Sequence, residues 1–213
     1  MTLEELTRRQ EKLRLGVMGG TFDPLHNGHL LVAQEAVSQL HLDAVIFVPT
    51  GQSYHKKTRV SDASHRFYMT FLATLDNPLF LVSRLEIDRQ EPSYTVDTLR
   101  EMTYWFSAPV DFYFITGTDA VLTMQWWDRI DELPRLAHVV AASRPGYELT
   151  LEQRAQLPEG LQKVLIPLSI PLTSISSTDL RERVRKGQSI RYLVPQSVEH
   201  YVQKMGLYRE TKE

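Results

Sequence analysis

His26 and His29 stand three residues apart at the end of a glycine-rich stretch, Gly19-Gly20-Thr21-Phe22-Asp23-Pro24-Leu25-His26-Asn27-Gly28-His29. Residues at that spacing share one face at a helix entrance. Two imidazoles placed there can donate hydrogen bonds to phosphate oxygens and follow charge as it builds on them. The apolar run Leu15-Gly16-Val17-Met18 leads into the turn, and Leu30, Ala33, Val37 and Leu40 follow at helical spacing. Strand, glycine turn and helix entrance set backbone N–H groups beside an anion. Gly19, Gly20, Thr21 and Phe22 are therefore candidates to line a phosphate site with the two histidines. Two rivals stand beside this reading: a pair of surface or capping histidines, and a shared zinc. The stretch is not G-x-G-x-x-G, since the residues from Gly16 read GVMGGT, and it contains no P-loop signature.

Other residues could serve the same chemistry. Ser176, Ser177, Thr178 and Arg181 open or precede another helical segment. Hydroxyls there are ordinary N-caps, yet hydroxyls, free N–H groups and an arginine one turn in also make an anion cradle. Gly117-Thr118-Asp119 ends an apolar run, where Asp119 could hold ribose hydroxyls or simply cap a helix. The basic loop His55-Lys56-Lys57, with Arg59, is either solvated surface or a place from which Lys56 reaches a phosphate.

The pairing of Gly-Gly-Thr-Phe-Asp-Pro-x-His-x-Gly-His with the distant Ile175-Ser176-Ser177-Thr178-Asp179-Leu180-Arg181 resembles the HxGH nucleotidyltransferases. Pro92-Ser93-Tyr94-Thr95-Val96-Asp97-Thr98-Leu99 and Arg144-Pro145-Gly146 narrow the resemblance to bacterial nicotinate-nucleotide adenylyltransferases, over residues 14–208. The resemblance implies adenylyl transfer from ATP to nicotinate mononucleotide, giving nicotinate adenine dinucleotide and pyrophosphate. It implies that His26, His29 and Arg181 are catalytic and that Ser177 and Thr178 join them on the ATP phosphates. It also implies that Thr95 and Trp127 lie at the nicotinate ring and that Arg144 contacts the mononucleotide. Magnesium would arrive with ATP, so no residue is assigned to a metal. The chain departs from the family in carrying Leu180 where isoleucine is frequent and Ser53-Tyr54 where paired prolines are usual. Two alternatives remain. One is a related HxGH enzyme acting on nicotinamide mononucleotide, phosphopantetheine or glycerol phosphate; the other is a regulator that binds nucleotides without turnover.

These residues need elements to position them. Apolar β-rich runs predict strands at 15–18, 44–49, 80–87, 110–116, 138–142 and 163–167. Periodicity and breakers predict helices at 28–41, 63–75, 95–106, 120–124, 129–133, 150–155, 178–186 and 195–205. Alternating strand and helix predicts an α/β fold: a single-domain, Rossmann-like, doubly wound parallel sheet with helices on both faces. The expected organisation is an N-terminal extension at 1–13, a nucleotidyltransferase domain at 14–208 and a tail at 209–213. The extension would be a short exposed helix or a disordered lead-in.

The 213 residues are 42% hydrophobic, with formal net charge −2 and no cysteine. That suffices for one core and argues against nucleic-acid binding by bulk charge. Disulfides and cysteine metal sites are excluded, which fits a cytoplasmic location. No apolar run approaches the ~18 residues of a membrane span, and the charged N-terminus does not read as a secretory signal. A homo-oligomer remains open.

Overall fold

The structure, a computed structural model, describes residues 2–51, 60–144, 146–171 and 174–209. A helix, α1 (Leu3–Thr7), precedes β1 (Leu13–Gly20), α2 (Asn27–Leu40) and β2 (Ala44–Pro49). Then come α3 (Ala63–Thr74), β3 (Phe80–Val82), α4 (Leu85–Asp88), α5 (Thr95–Thr103) and β4 (Val110–Gly117). The second half holds α6 (Thr118–Thr123), α7 (Leu133–Leu136), β5 (Ala137–Ser143), α8 (Leu151–Ala155), α9 (Glu159–Val164) and β6 (Leu165–Ser169). The helices α10 (Ser177–Arg185) and α11 (Gln196–Lys204) complete it.

All six strands form one parallel sheet in the order β3-β2-β1-β4-β5-β6. Alternate residues of each strand feed two cores. Ala44, Ile46 and Val48 of β2, with Phe112 and Phe114 of β4, pack against Val96, Leu99 and Met102 of α5. Val45, Phe47, Tyr113 and Ile115 point the other way, onto Ala33 and Ala36 of α2, Met69 of α3 and Leu180 of α10. Both faces are covered, which is why β2 is buried at every residue and reads as one apolar run.

The structure departs from the sequence expectation in a few places. The strand expected at 80–87 stops at Val82, because Ser83 Oγ accepts the Leu85 N–H at 3.1 Å and turns the chain into α4. The strand expected at 163–167 runs instead over Leu165–Ser169. Lys163 belongs to α9, where it pairs with Glu159 one turn earlier, and Leu161 anchors that helix in the core. The 95–106 helix ends at Thr103, and the 129–133 helix is split between a 3-10 turn, Ile130–Glu132, and α7. At the N-terminus α1 carries a Thr2–Glu5 capping box, and Leu6 is fully buried, so this helix is not simply exposed.

Candidate active site

In this strand order the chain winds to one side from β1 to β3 and to the other from β4 onward, which leaves a crevice beyond the carboxyl ends of β1 and β4. The sequence after β1 fills it. Gly20 admits the ring of Phe22, since a Cβ on Gly20 would lie 2.7 Å from that ring. Phe22 itself takes a left-handed backbone (φ 48°), and its buried ring meets the His29 ring edge-on at 5.1 Å. The chain then enters α2 with His26 at the N-cap.

The two imidazoles stack, with centroids 3.8 Å apart and planes inclined by 24°. Gly28 makes this possible: a Cβ there would sit 3.0 Å from His26 Nδ1. The His26 N–H donates to His29 Nδ1 at 3.3 Å, so the neutral His29 ring carries its proton on Nε2. His26 Nδ1 is buried and has no hydrogen-bond partner among the described residues. Burial holds His26 down to about 4. It lowers His29 well below its ordinary value, and the neighbouring His26 adds to that. Both rings are neutral near pH 7, and an anion beside them would favour their protonated forms.

These histidines open on a cavity of about 480 Å³ that Gly19, Gly20, Phe22, Gly117, Asp119 and Ser177 also line. Arg144 lines it too, over the Tyr147 ring at 5.6 Å. The sequence expectation grouped Arg144 with Thr95 and Trp127; the structure puts it on the histidine side instead. Lys56 lies outside the described residues.

Ser177 lines this cavity from the start of α10, and Thr178 and Arg181 follow it on the same helix without lining the cavity. Ser176 is the cap, its Oγ accepting the Asp179 N–H at 3.1 Å. Ser177 Oγ donates to Pro24 O at 2.8 Å, and Arg181 Nη1 donates to Asp23 O at 2.7 Å. Arg181 Nη2 also reaches Thr178 Oγ1 at 3.3 Å. The second motif thus grips the backbone of the first, across more than 150 residues.

Thr95 and Trp127 line a second cavity, of about 440 Å³, which shares Gly19, Gly20 and Thr116 with the histidine cavity. Thr21, Thr50, Glu86 and Thr98 complete its polar wall. Thr50 Oγ1 and Ser93 Oγ are buried there without partners among the described residues. Glu86 accepts from Thr98 Oγ1 at 2.7 Å, and burial pushes its carboxyl up from the usual carboxylate range. Trp127 is half-buried with its ring edge-on to Phe114 at 6.1 Å, whereas Trp126 is 80% exposed. Arg129, just after the tryptophans, forks onto Asp97 of α5 at 2.7 Å, and Arg100 of α5 pairs with Glu132. These pairs tie the Trp127 segment to the helix that begins at Thr95.

Sequence reasoning missed several residues that build the site. Asp23 is buried and accepts from Tyr208 OH at 2.6 Å and from the Ser61 N–H at 3.1 Å. Arg66 is buried and donates to the Thr21 carbonyl. A signal for Arg66 existed: it lies on the apolar face of α3, in register with Met69, Thr70 and Ala73. No sequence pattern marks Tyr208 as the partner of Asp23. Among the described residues no group of three or more His, Asp or Glu gathers to hold a metal ion. No helix among them is long and apolar enough to cross a membrane.

A doubly wound parallel sheet with a stacked histidine pair and a helix entrance at its switch point defines an α/β enzyme that handles nucleotide phosphates. The comparisons agree with that class. The family model for cytidylyltransferase-like domains matches residues 17–183. The chain belongs to this family and, within it, to the nicotinate-nucleotide adenylyltransferases. It is 47% identical over 207 residues to the "Probable nicotinate-nucleotide adenylyltransferase" of Thermoanaerobacter sp. (strain X514), covering 96% of this chain and 98% of that protein. It is 49% identical over 200 residues to the one of Moorella thermoacetica, covering 92% of each. Among solved structures, the Plasmodium falciparum nicotinic acid mononucleotide adenylyltransferase complexed with NaAD shares the fold. The TM-score is 0.74 at 21% identity, covering 92% of this chain and 97% of that one.

Proposed function

We propose that this chain transfers the adenylyl group of ATP to nicotinate mononucleotide, releasing pyrophosphate and forming nicotinate adenine dinucleotide in NAD biosynthesis. The observation that carries the reading is the pair of cavities that meet at Gly19, Gly20 and Thr116, with the histidines on one side and Thr95 and Trp127 on the other. A dinucleotide product needs two such compartments joined where the new bond forms.

A phosphate oxygen of the mononucleotide attacks the α-phosphorus of ATP in line. The new P–O bond forms as the bond from the α-phosphorus to the bridging oxygen breaks, and pyrophosphate leaves with that electron pair. The attacking oxygen is already anionic at neutral pH, so no general base is required. The enzyme's task is alignment and charge stabilisation. His29 offers Nε2–H to the developing charge, and His26 with the α2 N-terminus adds to it. Gly19, Gly20, Thr21 and Phe22 shape the turn beneath the phosphates, and Ser177, Thr178 and Arg181 lie beside it. Gly117 and Asp119 face the ATP-side cavity, where Asp119 suits ribose hydroxyls. Trp127 and Thr95 receive the nicotinate ring, and Arg144 acts from the histidine side. Mg²⁺ enters with the ATP phosphates as part of the substrate, and few protein ligands suit that arrangement. Small nucleotides rather than nucleic acid are the partners, and the cysteine-free chain fits the cytoplasm.

The test is acceptor choice. Nicotinate mononucleotide should give a higher kcat/KM than its amide, because N–H donors suit a carboxylate's two acceptor oxygens better than an amide. Equal values would overturn the acid preference and leave adenylyl transfer standing.

A further inference from the structure

We infer that Arg66 is a positioning residue for the reaction, one that holds the phosphate-side turn and the acceptor-side wall at a fixed separation. Its guanidinium donates to backbone carbonyls of three different segments. Nη1 reaches Thr21 O at 3.0 Å, Nη2 reaches Gly51 O at 2.7 Å and Nε reaches Ser61 O at 3.0 Å. Thr21 belongs to the turn after β1, Gly51 follows β2, and Ser61 leads into α3. The inference rests on the adenylyltransferase reading of the site.

Arg66 is 2% exposed, and none of these three partners is a carboxylate. Burying a charge is costly unless it is fully hydrogen-bonded, and an apolar side chain of similar volume is often neutral or stabilising in its place. Position 66 lies on a helix face otherwise filled by Met69, Thr70 and Ala73, where packing alone would favour such a residue. An apolar side chain cannot hold three carbonyls that converge from three directions. A planar fork of five N–H donors can, and a lysine ammonium does not reproduce that geometry.

The consequence reaches the chemistry through Thr21. The next residue, Phe22, sets its ring against His29, so a shift of the Thr21 carbonyl is passed to the catalytic imidazole. Thr21 also walls the acceptor cavity, so the same shift alters both compartments. Beside Arg66, the Thr50 N–H donates to Gly20 O at 2.9 Å and spans the same two strand ends. That amide is a local reporter of the separation Arg66 maintains.

The experiment compares Arg66→Lys and Arg66→Ala with the parent enzyme in pyrophosphate release, and follows amide exchange at Thr50. A misplacement of about 1 Å can cost about a hundredfold in rate, so kcat should fall about ten- to a hundredfold in both variants. Removing alignment rather than ground-state contact should move the ATP KM by less than about threefold. Added guanidinium ion should restore part of kcat to Arg66→Ala. The Thr50 amide should exchange faster while amides of β4 and β5 keep their protection. A merely structural arginine would lower the melting temperature and leave the kcat of folded protein alone. Folded variants with kcat within about twofold of the parent would overturn the inference. So would loss of β4–β5 protection, or of folding, in both variants. A parent chain inactive with every mononucleotide would overturn the adenylyltransferase reading instead, and Thr50 exchange would still decide the positioning claim.

Discussion

His29 presents a half-buried, neutral N–H donor whose tautomer is set by the His26 backbone, and this makes its role measurable. A contact that strengthens only in the transition state appears in kcat, and uniform binding appears in KM. His29→Ala should stay folded and bind ATP, with kcat lowered by about 10²–10³, the usual loss for one such donor. His29→Asn, which keeps one N–H, should recover part of it. A normal kcat with weaker ATP binding would make His29 a ground-state anchor. Gly28→Ala tests the same pair without touching an imidazole. The added Cβ would press on His26 Nδ1 at 3.0 Å, and His26 is already stacked on His29. Turnover should drop by about tenfold or more, because catalytic geometry tolerates little displacement; unchanged kinetics would show that the stack can shift freely. The depressed histidine pKa values also fix a pH dependence. His26 has a folded value of about 4 against 6.5 for the free side chain, so between those values the unfolded chain binds more protons. Stability should therefore rise with pH across that window and be lost as pH falls from 6.5 toward 4, by up to about 3 kcal/mol for His26. Unfolding free energies from pH 4 to 7 check this, and replacing both histidines by asparagine should flatten the slope.

The strands and helices that carry these residues were readable to different degrees. Buried parallel strands such as β2 and β4 were clear because both faces are apolar and the run is continuous. The edge strand β3 reads longer in the sequence than it is, because Leu81, Leu85 and Ile87 alternate across Ser83, where the chain turns into α4. The short α9 leaves no mark in the sequence, because a single buried leucine, Leu161, gives no period to detect. In the site, contiguous motifs are what the sequence offers as candidates. Arg66, Glu86 and Tyr208 meet the site only through contacts made in space, and even Asp23, inside the first motif, shows its part only through its contacts with Tyr208 and Ser61. The tandem tryptophans show the limit, since both look alike in sequence while Trp127 packs inward and Trp126 lies in solvent. Trp127→Ala should raise the acceptor KM by about two- to tenfold, from the roughly 0.5–1.5 kcal/mol of a lost aromatic pair, with ATP binding nearly intact. Trp126→Ala should leave both constants alone. If Trp127→Ala lowered only the melting temperature, its packing on Phe114 would be the whole of its role.

The whole chain is a frame that brings Gly19–His29, Thr95–Trp127 and Ser177–Arg181 to one crevice from points more than 150 residues apart. Even its N-terminal helix takes part in the core, through Leu6. Leu6→Ala should cost about 2–5 kcal/mol in unfolding free energy, as for other buried leucines, while kcat of the folded protein stays constant because Leu6 lines neither of the two site cavities. A loss below 1 kcal/mol, roughly the size of a surface change, would mean that α1 is only loosely docked. The central claim is that the two joined cavities are the two halves of one adenylyl-transfer site. Pyrophosphate release from ATP, measured with nicotinate mononucleotide and in parallel with nicotinamide mononucleotide, phosphopantetheine and glycerol phosphate, tests it most directly. The account predicts stoichiometric pyrophosphate and nicotinate adenine dinucleotide with nicotinate mononucleotide as the best acceptor. Turnover with phosphopantetheine or glycerol phosphate in its place, or no turnover with any acceptor, would contradict it.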